Sequence, residues 1–205
     1  MTNKQDPEVL ILVGSPKEDG KSARLAKNLE ANLKDLGAKP CVFELAKYPV
    51  AACTGCNACA ISGQCCITGD SFNVLSRHMD SADAFVLVAP IYFAGPSGWL
   101  KAALDRCQVY WARRYLLKQE MPPFRPAHLA VIGDGGDPFG YDPLVTICTS
   151  ALNSTGLRLI PKRVHDFVAD NYNDEAISAL AGDVMRSIYE NRILAKHVHE
   201  GEDNA

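Results

Sequence analysis

The chain has 205 residues, 47% of them hydrophobic, and a formal charge of −3, which supports one sizeable core. That balance carries no electrostatic footprint for nucleic acid, and no apolar run approaches the roughly 20 residues of a membrane span. The opening MTNKQDPEVLILVG has no apolar stretch ending in a small-residue cleavage site, so the expectation is a cytoplasmic protein.

Strand and helix patterns alternate along the whole length. Residues 8–14, EVLILVG, form a short apolar run closed by glycine and read as a buried strand. From Ser22, Leu25, Leu29, Leu33 and Leu36 recur at helical spacing until Gly37. Residues 40–45, PCVFEL, fit a second strand, and a cysteine-rich loop at 53–66 follows. Phe72, Leu75 and Met79 share one face of a short helix. Residues 84–90, AFVLVAP, are apolar throughout, as expected of a strand covered on both faces.

Residues 98–118 read as a long helix with a possible break, and MPPFRP at 121–126 as a rigid connector. A fourth strand runs into a glycine-rich turn over 128–136, and a helix over 143–156 ends at Gly156. LRLIPKRV at 157–164 is a fifth strand, and a terminal helix starts after Asn173, a candidate cap. The last residues, HEGEDNA, are expected to fray. Five strands separated by helices predict one α/β domain over 1–205, a doubly wound five-stranded parallel sheet. Ligands of such sheets bind beyond the carboxyl ends of the strands. The loops that start at Gly14, Leu45, Pro90 and Gly133 therefore claim attention.

The first loop, GSPKEDGKS, nearly spells a nucleoside-triphosphate loop, but five residues separate Gly14 from Gly20 where that motif has four. Pro16 has no N–H to offer, and Glu18 and Asp19 would repel a polyphosphate. The loop suits one terminal phosphate instead, held by Ser15, Ser22, Lys17 or Lys21 and the helix-start amides. The alternative is that Ser22 simply caps the helix.

The third loop, APIYFAGPSGWLKAALDR, is stiffened by Pro90 and Pro96 and opened by Gly95 and Gly98. Tyr92 and Phe93 supply aromatic area; core or partner packing is the alternative, but at a strand's carboxyl end such a loop can lay peptide edges and a ring against a flat ligand. Lys101 and Arg106 read as a solvated face or a partner in a dimer salt bridge. The histidines read as surface or capping residues, with His128 and His165 at strand ends. Cys41, Cys107 and Cys148 read as small buried hydrophobes, and the Tyr110, Trp111 and Tyr115 cluster as core or subunit packing.

Five of eight cysteines fall within CTGCNACAISGQCC. At about 4% of the chain, cysteine is well below the roughly 8–10% of a disulfide scaffold. Clustered thiols in a reducing compartment are more often metal ligands or redox groups. Cys53, Cys56, Cys59 and Cys65 are separated by two, two and five residues. Compact four-cysteine sets hold [4Fe–4S] clusters; zinc shells usually come as two separated pairs. Zinc and unmetallated thiols stay open on spacing alone, as does Cys66 in place of Cys65.

Together, GSPKEDGKS, CTGCNACAISGQC and APIYFAGPSGWLKAALDR resemble the flavodoxin-fold, FMN-binding NAD(P)H-dependent reductases, and most closely the iron–sulfur flavoproteins. The resemblance implies a flavodoxin-like sheet with FMN bound by the first, third and fourth loops. It places the phosphate on Ser15, Lys17, Lys21 and Ser22, and the ring against Pro90, Ile91, Tyr92 and Phe93. It implies a [4Fe–4S] cluster on Cys53, Cys56, Cys59 and Cys65, and a homodimer or homotetramer. Electrons would pass between NAD(P)H or ferredoxin, FMN and an acceptor, with the chemistry carried by the flavin rather than by a protein acid or base. A cluster-free NAD(P)H-dependent FMN or quinone reductase and a non-enzymatic flavodoxin-like carrier are the alternatives, with a nucleoside triphosphatase outside them.

Overall fold

The computed structural model describes residues 6–202, with side chains as far as residue 195. Five parallel strands, β1 (Glu8–Val13), β2 (Lys39–Glu44), β3 (Ala84–Tyr92), β5 (Arg125–Gly133) and β6 (Leu157–Val168), lie in the order β2-β1-β3-β5-β6. Chain direction across the sheet reverses at β1, which pairs with both β2 and β3. That is the switch point where doubly wound sheets open a crevice.

Alternate residues of each strand feed two cores. Val9, Ile11, Val13, Val86 and Val88 face α1 (Lys21–Asp35) and α7 (Asp174–Glu202), whose Leu25, Leu29, Leu33, Leu180 and Val184 cover them. Leu10, Leu12, Phe85, Leu87 and Leu129 face the other side. There α3 (Phe72–Ser81), α4 (Gly98–Arg106) and α6 (Asp142–Ser154) contribute Leu75, Leu100 and Leu152. Burial on both faces accounts for the unbroken apolar run of β3. Asn173 caps α7 as expected, its Oδ1 accepting from the Ala176 amide at 2.8 Å. α7 is described as far as Glu202, and residues 203–205 of the tail expected to fray lie outside the described residues.

Several boundaries differ from expectation. β5 starts at Arg125 rather than at residue 128, because Pro126, near the strand start, pairs with Arg158 without needing a donor. β6 extends to Val168 through a register slip: Ala127 faces Leu159, yet Leu129 faces Val164, so residues 160–163 are extruded. The long helix breaks at Cys107 into α4, a short α5 (Gln108–Trp111) and a π-type turn over Ala112–Leu116. Short elements that leave no period were not foreseen, among them β4 (Gly95–Pro96), antiparallel to β3, and the one-turn helix α2 (Ala58–Ser62) inside the cysteine loop. No helix among the described residues is long and apolar enough to cross a membrane.

Candidate functional site

The first loop leaves β1 under α4. A Cβ on Gly14 would lie 2.7 Å from Leu100 Cδ2, so only glycine lets the loop pass. Gly14 N–H donates to the Val88 carbonyl at 2.9 Å. Ser97, the N-cap of α4, donates its hydroxyl to the Gly14 carbonyl at 2.5 Å and accepts from the Leu100 amide at 3.1 Å. One side chain thus caps a helix and ties the third loop to the first.

α1 begins at Lys21 behind Gly20, and no side chain caps it. Ser22 is therefore not the cap that the sequence allowed; it stands inside the first turn, 3% exposed. The free first-turn amides and the positive end of the helix are able to attract an anion. Ser15 is also buried, its Oγ accepting from the Lys17 amide at 3.1 Å. Lys17 stays exposed. Lys21 reaches across to the Asp134 carboxylate of the fourth loop, and that bond holds the Asp134 carboxyl below its usual range.

Pro90 and Ile91 lie within β3, and Ile91 Cδ1 sits where a Cβ on Gly133 would come within 2.9 Å. Tyr92 pairs with Gly95 across a tight turn whose central residues, Phe93 and Ala94, take φ of 50° and 60°. This is the left-handed pair of a hairpin turn, unusual without glycine. Asp137 holds it: its Oδ2 accepts from the Ala94 amide and its Oδ1 from the Phe139 amide, both at 2.9 Å. The Ala94 carbonyl accepts from Leu144 at 3.0 Å. Phe93 stands at the tip, 99% exposed, and Tyr92 is 43% exposed. Sequence reasoning left the fourth loop unassigned and missed Asp134 and Asp137. An aspartate before proline in a glycine-rich run, the Asp137-Pro138 pair, is the turn signal that marked one of them.

The cysteine loop is gripped at its neck by Arg106. The guanidinium, fully buried, donates to the carbonyls of Ala51 (3.1 Å) and Ile67 (3.0 Å) and to Asp70 Oδ2 (2.7 Å), and lies 4.5 Å from the Phe72 ring centre. Asp70 also accepts from the amides of Ala51 and Phe72. Burial pushes the Asp70 carboxyl up, but those amides and Arg106 prevail and hold it below the ordinary range. The surface role expected for Arg106 is overturned; its carboxylate partner lies 36 residues back, out of reach of any helical spacing rule. Lys101 keeps the expected solvated face, paired with Asp105.

Farther along, Arg113 Nε donates to the Gly63 carbonyl at 2.6 Å. Gly63 has φ of 68°, and a Cβ there would press on Gln119 and Leu117. Cys59 and Cys65 turn inward and pack on the core, whereas Cys53, Cys56 and Cys66 are exposed. Cys56 Sγ lies 3.2 Å from Cys66 Sγ. The Ala58 amide and the Cys66 thiol hold the Cys56 thiol below its ordinary value, while Cys66 is pushed up in turn. Among the described residues, no three His, Cys, Asp or Glu side chains are gathered as a metal shell. Beside the neck, a cleft of about 660 Å³ is lined by Val50, Asp70, Gly98 and Trp99.

His128 is not a surface residue. It is 1% exposed on β5, opposite the extruded segment of β6, with Nδ1 3.1 Å from His165 Nε2 and Nε2 3.0 Å from Ser187 Oγ. Burial pushes it down to about 3. Cys107 and Cys148 are buried as expected; Tyr110 is in the core, while Trp111 and Tyr115 are part-exposed and lie ring to ring at 5.7 Å. The side chains of His197 and His199 lie outside the described residues.

A doubly wound sheet in the order β2-β1-β3-β5-β6, with the first, third and thiol-bearing second loops at its carboxyl edge, defines the flavodoxin-like class of folds. Within it, the model of the NADPH-dependent FMN reductase family matches residues 7–171, and the chain belongs to that family. It is 32% identical over 99 residues to an iron–sulfur flavoprotein of Methanocaldococcus jannaschii, covering 48% of this chain and 51% of the relative. It is 28% identical over 138 residues to an iron–sulfur flavoprotein of Archaeoglobus fulgidus, covering 67% and 66%. The match thus spans about half to two thirds of the length of these curated relatives. Among solved structures, RosB with a bound 8-demethyl-8-formylriboflavin-5'-phosphate intermediate is 11% identical, with a TM-score of 0.69 over 97% of this chain and 88% of that one. The apo form of the NADH:FMN oxidoreductase EMOB is 17% identical, with a TM-score of 0.58 over 90% and 89%. Both likenesses are of fold.

Proposed function

We propose that the chain is an FMN-dependent oxidoreductase of the iron–sulfur flavoprotein kind. The observation that carries this reading is the uncapped start of α1 in a loop tied to the third loop by Ser97 and to the fourth by Lys21. A single phosphomonoester seat at that helix start, next to the anchored turn at Phe93 and Ala94, would suit a mononucleotide and not a polyphosphate. Ser15, Ser22, Lys17, Lys21 and the first-turn amides would hold the phosphate. Pro90, Ile91, Tyr92 and Phe93 would meet the ring. FMN supplies exchange of one or two electrons; the chain binds it, orients it and limits access.

The thiol loop fits an iron–sulfur cluster by the chemistry of its donors, since four soft ligands on one short loop with a fixed neck suit iron and sulfide. Cys53, Cys56, Cys59 and Cys65 are the proposed ligands of a [4Fe–4S] cluster. NAD(P)H or a ferredoxin would be the electron donor, in a cytoplasmic homodimer or homotetramer.

Protein made and purified without oxygen is expected to carry one FMN and about four iron and four sulfide per chain. A chain that neither carries flavin nor takes up added FMN overturns the reading. FMN without iron would favour a second one, a cluster-free NAD(P)H-dependent FMN or quinone reductase, to which the close Cys56–Cys66 contact points.

A further inference from the structure

We propose that Cys56 and Cys66 form a reversible disulfide that governs whether the second loop can load metal. The loop carries five thiols, one more than a four-ligand shell requires. The two sulfurs lie 3.2 Å apart, so roughly 1.2 Å of approach separates them from a bond of about 2.05 Å. Ligands on different irons are held apart by the inorganic core, so a sulfur touching Cys56 is misplaced as its co-ligand. Cys66 is the surplus thiol, and Cys65, which like Cys59 packs on the core, remains the proposed fourth ligand.

Local structure prepares the contact. Asn57 at φ of 59° and Gly63 at φ of 68° fold the loop back on itself, bringing together residues ten apart in sequence. Arg106 anchors the Ile67 carbonyl next to Cys66, and Arg113 anchors Gly63. Both thiols are exposed, so a small oxidant reaches them.

The step balances as a thiol–disulfide exchange. Cys56 and Cys66 together give up two electrons and two protons to a small disulfide such as oxidised glutathione, which becomes two thiols. While the bond holds, the Cys56 sulfur is withdrawn and three proposed ligands are left. This gating role rests on the cluster reading above; the disulfide itself does not.

The test uses the full chain, freed of metal by a chelator under reductant and then equilibrated without oxygen in buffers of reduced and oxidised glutathione. Free thiols are capped with iodoacetamide, disulfides are reduced, and the released thiols are capped with N-ethylmaleimide. Fragmentation of the tryptic peptide 48–77 then shows which label each cysteine bears. The expected result is N-ethylmaleimide on Cys56 and Cys66 alone, lost in Cys66→Ser and kept in Cys65→Ser. Any other pair, or glutathione adducts without a pair, overturns the disulfide. Iron and sulfide are then offered to oxidised and reduced protein. Uptake that needs prior reduction in the wild type but not in Cys66→Ser supports the gate, and equal uptake by oxidised and reduced wild type overturns it. If no protein takes up iron, the cluster reading and the gate fall together, while the labelling still decides the disulfide.

Discussion

Arg106 on α4 and Asp70 at the far end of the cysteine loop meet at 2.7 Å, and the guanidinium between them is wholly buried. Removing the carboxylate strands a buried cation whose Nε already lacks a partner. Asp70→Asn is therefore expected to cost about 3–5 kcal/mol, read as a lower urea midpoint. The pH dependence has a definite sign. The folded Asp70 value is depressed, so its contribution is full above the ordinary carboxylate value of about 3.9 and is lost as pH falls through the folded value.

Ser97 serves two loops with one hydroxyl. Ser97→Ala should lose the α4 cap, at about 1 kcal/mol, and also the tie to Gly14. Thermal unfolding without flavin measures the first loss. A several-fold weaker FMN dissociation constant measures the second, and an unchanged constant would show that the tie does not shape the flavin site.

Much of this was legible beforehand. Burial on both faces wrote uninterrupted apolar runs into β1 and β3, and helical leucine spacing marked α1, because those signals repeat within a few residues. The ties between loops were not legible. Arg106 finds Asp70, Ser97 finds Gly14 and Asp137 finds Ala94 across 36, 83 and 43 residues, and no periodicity records such pairings. His128 misled for a related reason: its partners are on β6 and α7, and only burial shows that it is neutral and internal.

That histidine gives a pH prediction. Its folded value near 3 lies below the unfolded value of about 6.5, so the unfolded chain binds the extra proton between those limits. Stability present above pH 6.5 is lost on acidification, by roughly 2 kcal/mol between pH 6.5 and 5 from this group alone. Denaturant titrations at the two pH values, compared with His128→Gln, isolate it. Equal slopes in the two proteins would refute the assignment.

The Phe93–Ala94 turn separates holding from touching. Asp137→Ala frees a left-handed turn from its anchor and should cost about 1–2 kcal/mol, with weaker FMN binding. Phe93→Ala alters a 99% exposed side chain, so stability should stay within about 0.5 kcal/mol while FMN affinity falls. Flavin fluorescence titration of both variants checks the contrast, and unchanged affinity in Phe93→Ala would remove the ring contact.

Arg106 grips the cysteine loop by two carbonyl oxygens, at Ala51 and Ile67, and by no side chain of the intervening segment. Every residue has a carbonyl, so these two contacts do not depend on the side chains between them. The neck then behaves as a socket of fixed width into which segments of different sequence can be plugged. A donor loop should seat without redesign of the sheet if its ends match that spacing, it keeps glycine where Arg113 meets Gly63, and it packs inward as Cys59 and Cys65 do.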